Sequence, residues 1–165
     1  MEASAVAGWS DFFVAAAGAA GALAGLVFVT LSINLARIIE LAGVSGRAAE
    51  TIIVLAGALA GSLVALVPHV SAAQLGAALL VVTIPTWLLP MVIQARSVRA
   101  RTYYRGPLVT VRILLHQVAT FPGVLAGLAL CGIVPGGIGW FAAAAIASML
   151  IAMFNAWVLL VEILR

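Results

Sequence analysis

Seven polar side chains stand close to the ends of long apolar runs and could work together: Asn34, Arg37, Gln94, Arg112, His116, Asn155 and Glu162. A carboxylate, an imidazole and two guanidiniums at one depth of a membrane can bind an anionic headgroup, line a vestibule or tie helix ends together. His116 follows Arg112 by four residues and precedes Thr120 by four, so the three share one face of a helix. With Trp140 as an interfacial anchor, Glu162 falls about 33 Å further along its helix, at the opposite interface. Asn34 and Arg37 reach a similar level on the first helix, Gln94 ends the third, and Asn155 lies a little deeper. The commonest role of such groups is to hold helix ends together.

A second pattern has a period of seven. Asp11, Gly18, Gly25 and Ser32 fall on one face of the first helix, and Ser148, Asn155 and Glu162 do the same on the last. Neither stripe suits lipid. Around an axis shared by several copies, the first stripe would form a pore with Asp11 at its mouth, and acidic rings select cations. Packed against a neighbour, it is a close-contact face with Asp11 in the first helical turn. Ladders at steps of four serve the same purpose: Ala17, Gly21 and Gly25; Gly57 and Gly61; Gly123 and Gly127; Ala144, Ser148, Ala152 and Ala156. In TIPTWLLP, Pro85 and Pro90 each remove a backbone donor, which makes them a candidate hinge.

Several chemistries are excluded. The only aspartate is Asp11, so two aspartates cannot share a proteolytic site, and HExxH, GxSxG and phosphate-loop patterns are absent. Cys131 is the only cysteine, which excludes an intrachain disulfide and cysteine-pair zinc sites. It reads as a small core residue. His69 and His116 fall on opposite sides of the membrane and cannot share a metal, and His69 belongs in a solvated turn. The expectation is a non-enzymatic protein with neither metal nor cofactor.

The elements that must position these residues are membrane spans. Of 165 residues, 65% are hydrophobic and 8% charged, and the mean hydropathy is +1.28. A bilayer core takes about 20 apolar residues per helix. Five stretches qualify, at about 12–35, 51–68, 75–94, 113–134 and 139–163. They predict an all-α, single-domain helix bundle over residues 1–165, with short hairpins at PHVSAAQ and VPGGIG. Ser10 and Asp11 suit a helix N-cap and Gly43 a stop, so the first helix would run about 32 residues, or about 48 Å.

Charge placement sets an orientation. The eight basic residues are all arginines: Arg37 and Arg47 in the first loop, Arg96, Arg99, Arg101, Arg105 and Arg112 in the third, Arg165 at the end. Five spans put every one on one side, which predicts an outside N-terminus and a cytoplasmic C-terminus. The 96–112 loop, with Tyr103 and Tyr104, suits anionic lipid headgroups and needs no nucleic acid. The acidic residues before the first span argue for an uncleaved anchor rather than a signal peptide.

The stretch GWSDFFVAAAGAAGALAGLVFVTLSINL, residues 8–35, followed by ARIIELAG, resembles the opening of a family of small bacterial integral membrane proteins. Some of these are labelled modulators of a membrane-bound protease. The resemblance implies a multi-pass protein of a bacterial cytoplasmic membrane, and it supplies no catalytic or binding residue. The expected function is therefore helix packing, as an assembly or modulator component, with copies of itself or with a larger membrane partner. A homo-oligomeric channel lined by the first helix is the alternative.

Overall fold

The computed structural model describes residues 8–40, 44–99 and 107–164. The chain folds as α1 (Ser10–Ile33), α2 (Leu35–Glu40), α3 (Val44–Ala65), α4 (Ala72–Arg99), α5 (Pro107–Leu130) and α6 (Gly139–Leu164). All but the short α2 are long and apolar enough to cross a membrane, giving five candidate spans. The protein is an all-α, multi-pass membrane bundle.

Local chemistry fixes where the helices begin and end. At the start of α4, the Ser71 amide donates to Gln74 Oε1 at 2.9 Å and the Gln74 amide to Ser71 Oγ at 3.3 Å, a reciprocal capping box. The preceding turn places exposed His69 at φ 60°. Gly132 and Gly136, at φ 76° and 126°, turn the chain between α5 and α6 in a region that side chains with a Cβ rarely adopt.

The first helix differs from the expected continuous rod. It is interrupted at Asn34, whose side-chain amide donates to the Thr30 carbonyl at 2.9 Å, and the short α2 that follows buries Ile38 with Val44, Ala48 and Leu159. Ile38 thus gains a partner surface, while Leu35 and Ile39 stay exposed. Ser10 is the first helical residue and Trp9 the N-cap, without a side-chain cap bond. The proposed stop at Gly43 lies outside the described residues. Two other helices start earlier than hydropathy places them: α3 at Val44 rather than near 51, and α5 at Pro107 rather than near 113.

The third helix is central. It packs on α1, α4 and α6, while α5 lies between α4 and α6, and α1 is applied to the outside of α3 with a lesser contact to α6. Some 56% of the apolar window of α3 is inside the bundle, against 28% for α1. At the end holding the 66–71 and 131–138 turns, Phe13, Leu75, Leu79, Ile138 and Phe141 form an apolar cluster with Trp9 and Phe12 against it. The Phe13 and Phe141 rings lie 5.7 Å apart. The other end carries Arg37, Arg47, Arg96, Arg99 and Arg112 and is called the arginine-rich end below.

Small residues make the seams between these helices. A Cβ on Gly76 would lie 2.7 Å from the Gly127 carbonyl oxygen, and one on Gly127 would lie 2.6 Å from Leu80. One on Gly57 would overlap Thr86, and one on Gly61 the ring of Phe141. Ala144, Ser148 and Ala152 are likewise buried. Close backbone approach between helices is the commonest use of such residues in membranes, and these ladders are spent inside the bundle.

Candidate functional site

The polar side chains gather around a cavity of about 290 Å³ at the arginine-rich end. Its walls come from the first half of α3, from Gln94 on α4, and from the facing parts of α5 and α6. A side-chain bridge spans α3 and α5 here. Arg112 Nη2 donates to Glu50 Oε1 at 2.7 Å and Arg112 Nε to Glu50 Oε2 at 3.2 Å, a bidentate pair. Gln94 Nε2 gives Glu50 Oε2 a third bond at 3.2 Å. Glu50 is only 4% exposed, so these three donors replace the water of its carboxylate. Burying a charge in a bundle core is tolerable only when it is paired and hydrogen-bonded in this way.

His116 extends the cluster toward the middle of the bundle. Its Nε2 lies 2.9 Å from the Trp87 carbonyl oxygen. A carbonyl only accepts, so Nε2 carries a proton and donates to it. Gln117 Oε1, next along α5, accepts from Trp87 Nε1 at 2.7 Å. This double attachment falls between the two helix-breaking residues. Pro90 deprives the Thr86 carbonyl of its usual donor, and α5 grips the adjoining residue. The helix runs unbroken from Ala72 to Arg99 with Pro85 and Pro90 inside it.

Deeper still, the lining is neutral. Thr83, Thr86, Thr120 and Ser148 surround a void of about 10 Å³ below the cavity. Most of these hydroxyls bond back to a carbonyl four residues earlier, as Thr83 does to Leu79 at 2.8 Å. Ser148 instead crosses to the Ala119 carbonyl of α5 at 3.0 Å. Beyond them lies the Phe13, Leu79 and Phe141 cluster.

Of the seven side chains expected to form a polar layer, Gln94, Arg112, His116 and Asn155 meet at the cavity. Asn34 is spent on capping α1, and Arg37 is exposed on α2. The side chain of Glu162 lies outside the described residues. Sequence reasoning missed Arg47 and Glu50, which also line the cavity and are buried. Their spacing held the signal: Arg47, Glu50, Thr51 and Val54 follow the i, i+3, i+4, i+7 rhythm of a helix face.

The heptad stripe of α1 occupies a separate surface. Asp11, Gly18, Gly25 and Ser32 are all exposed, pointing away from the bundle, with Ala15, Ala19 and Ala22 beside them. A Cβ on Gly18 or Gly25 would meet nothing within 4 Å, in contrast to the filled seams at Gly57, Gly61, Gly76 and Gly127. The opposite face, with Phe13, Ala16, Ala17, Ala20 and Val27, is the one buried in the bundle.

No family profile, curated protein or solved structure matches this chain.

Proposed function

We propose that this protein is a non-enzymatic assembly or modulator component of a bacterial cytoplasmic membrane that works through helix packing. The outward face of α1 is the working surface, and the same face of a second copy is its partner. The observation that carries this reading is the open small-residue face of Ala15, Gly18, Ala19, Ala22 and Gly25. A helix facing only lipid has no need of it, since glycine there forgoes side-chain contacts and helix propensity. Close helix approach needs small residues on both partners. In a two-fold pair one stripe supplies both sides. The resemblance of residues 8–42 to the opening of bacterial membrane proteins supports that membrane as its location. The placement of the arginines supports a topology with the N-terminus outside and the arginine-rich end in the cytoplasm.

The pore alternative uses the same stripe. Because Asp11, Gly18, Gly25 and Ser32 point outward, such a pore would be enclosed by several copies and not by one chain. Single cysteines separate the two readings. In a Cys131→Ser background, Gly18→Cys and Gly25→Cys in native membranes are expected to cross-link between copies under oxidation. They are also expected to resist a charged, membrane-impermeant thiol reagent. Rapid reaction with that reagent at Gly18, Gly25 and Ser32 would point to a water-filled pore. Neither cross-linking nor reaction would place the stripe in lipid and remove both readings.

A further inference from the structure

We infer that the cavity at the arginine-rich end holds an acyl chain of a bilayer phospholipid. This goes beyond the helix-packing reading and does not depend on it, since the described walls come from α3 to α6 and not from α1. Most polar side chains of the wall are turned into the protein rather than toward the space they enclose. Arg47, Glu50, Thr51, Gln94 and His116 are each 9% exposed or less. Glu50 takes two bonds from Arg112 and one from Gln94, and His116 is bonded to the Trp87 carbonyl. The Thr51 hydroxyl donates to the Arg47 carbonyl, and the Arg47 side chain is engaged as well. Gln94 Oε1 and Arg47 Nε have less than 1 Å² of open surface each, so neither admits a ligand atom.

Apart from Arg112 and Asn155, what the cavity presents is therefore hydrocarbon. Val111, Leu115, Ile151, Phe154 and Val158 line it, and all of them keep open surface. Water fills such a space poorly, because a buried water needs several polar partners. Left dry, about 290 Å³ forfeits dispersion contacts along its whole lining. The bilayer can supply the filling. All five residues lie within candidate membrane spans, Val109–Leu130 and Gly139–Val161. Val111 and Phe154 are 51% and 53% exposed, so the wall continues onto the lipid-facing surface and offers entry from the bilayer. At about 30 Å³ for each water- or methylene-sized group, 290 Å³ takes roughly ten of them, a segment of one chain. Arg112 and Asn155, which are only partly buried, carry donors suited to the ester carbonyls at the head of that chain.

The test uses the full chain in nanodiscs made with a phosphatidylcholine that carries a diazirine in one acyl chain. Photolysis is expected to label Val54, which belongs to the central α3 and is buried, in addition to the exposed Leu114 and Val118. Ile151→Trp, which fills the cavity from a partly buried position, should abolish the Val54 label and leave those at Leu114 and Val118. Should that variant fold poorly, Ile151→Cys in a Cys131→Ser background is expected to resist a charged, membrane-impermeant thiol reagent while reacting with a lipid-soluble maleimide. Labels at Leu114 and Val118 without one at Val54, in the unsubstituted protein, would overturn the inference. So would a Val54 label that survives Ile151→Trp, or rapid reaction of Ile151→Cys with the charged reagent, which would mean a water-filled cavity.

Discussion

Arg112→Met is expected to cost about 3–5 kcal/mol of stability, because it strands a buried carboxylate. Glu50 is 4% exposed and would keep only its bond from Gln94. Glu50→Leu should cost less, since the Arg112 side chain is 14% exposed and its long stem lets the guanidinium reach the interface. The double variant Glu50→Leu with Arg112→Met removes both charges together, and a buried ion pair replaced by apolar groups of similar size is often neutral or stabilising. The expected order of unfolding midpoints in mixed micelles therefore puts Arg112→Met lowest, Glu50→Leu next, and the double variant close to the unsubstituted protein. Additive losses in the double variant would mean that the two residues do not act as a pair.

Gly76 should be the least forgiving of the small residues. Its Cβ position lies 2.7 Å from a backbone oxygen of α5, which has no rotamer to adopt in response. Overpacking a tight core costs about 1–3 kcal/mol, so Gly76→Ala already falls in that range. Gly76→Leu should prevent the α4 and α5 seam from closing and leave no folded protein. By contrast, Gly18→Leu meets nothing within 4 Å in its own chain. At dilutions where the unsubstituted protein is itself dissociated, it should fold with an unchanged or slightly raised unfolding midpoint, since glycine costs a helix about 1 kcal/mol relative to alanine. Size-exclusion behaviour and thermal unfolding of the two leucine variants side by side would check this. A folded Gly76→Leu protein would contradict the seam.

Hydropathy made the span count legible, because a bilayer imposes a length on apolar runs and this chain has little else. Glycine ladders inside the bundle were legible for a similar reason: steps of four place small residues on one face. Glu50 was not. A window that rewards apolar residues starts α3 near 51 and leaves VSGRAAE in a loop, whereas the helix extends to Val44 because Arg112 and Gln94 satisfy the carboxylate from other helices. That pairing spans 62 residues and has no local signature. The α1 stripe shows a different limit. Its period identified which residues share a face, but the direction of that face depends on how the opposite side, with Phe13, Ala16, Ala17 and Ala20, docks on the bundle. The interruption at Asn34 was hidden too, since nothing in ARIIE forbids helix.

The central claim is that the outward face of α1 packs against its own copy. Its most direct test is the oligomeric state in lipid nanodiscs of the unsubstituted protein and of a Gly18→Leu, Ala22→Leu double variant, with unfolding midpoints recorded for both. The account predicts an associated unsubstituted protein and a folded, monomeric double variant whose unfolding midpoint falls by no more than the lost association accounts for. A strictly monomeric unsubstituted protein, or association that survives both leucines, would contradict it.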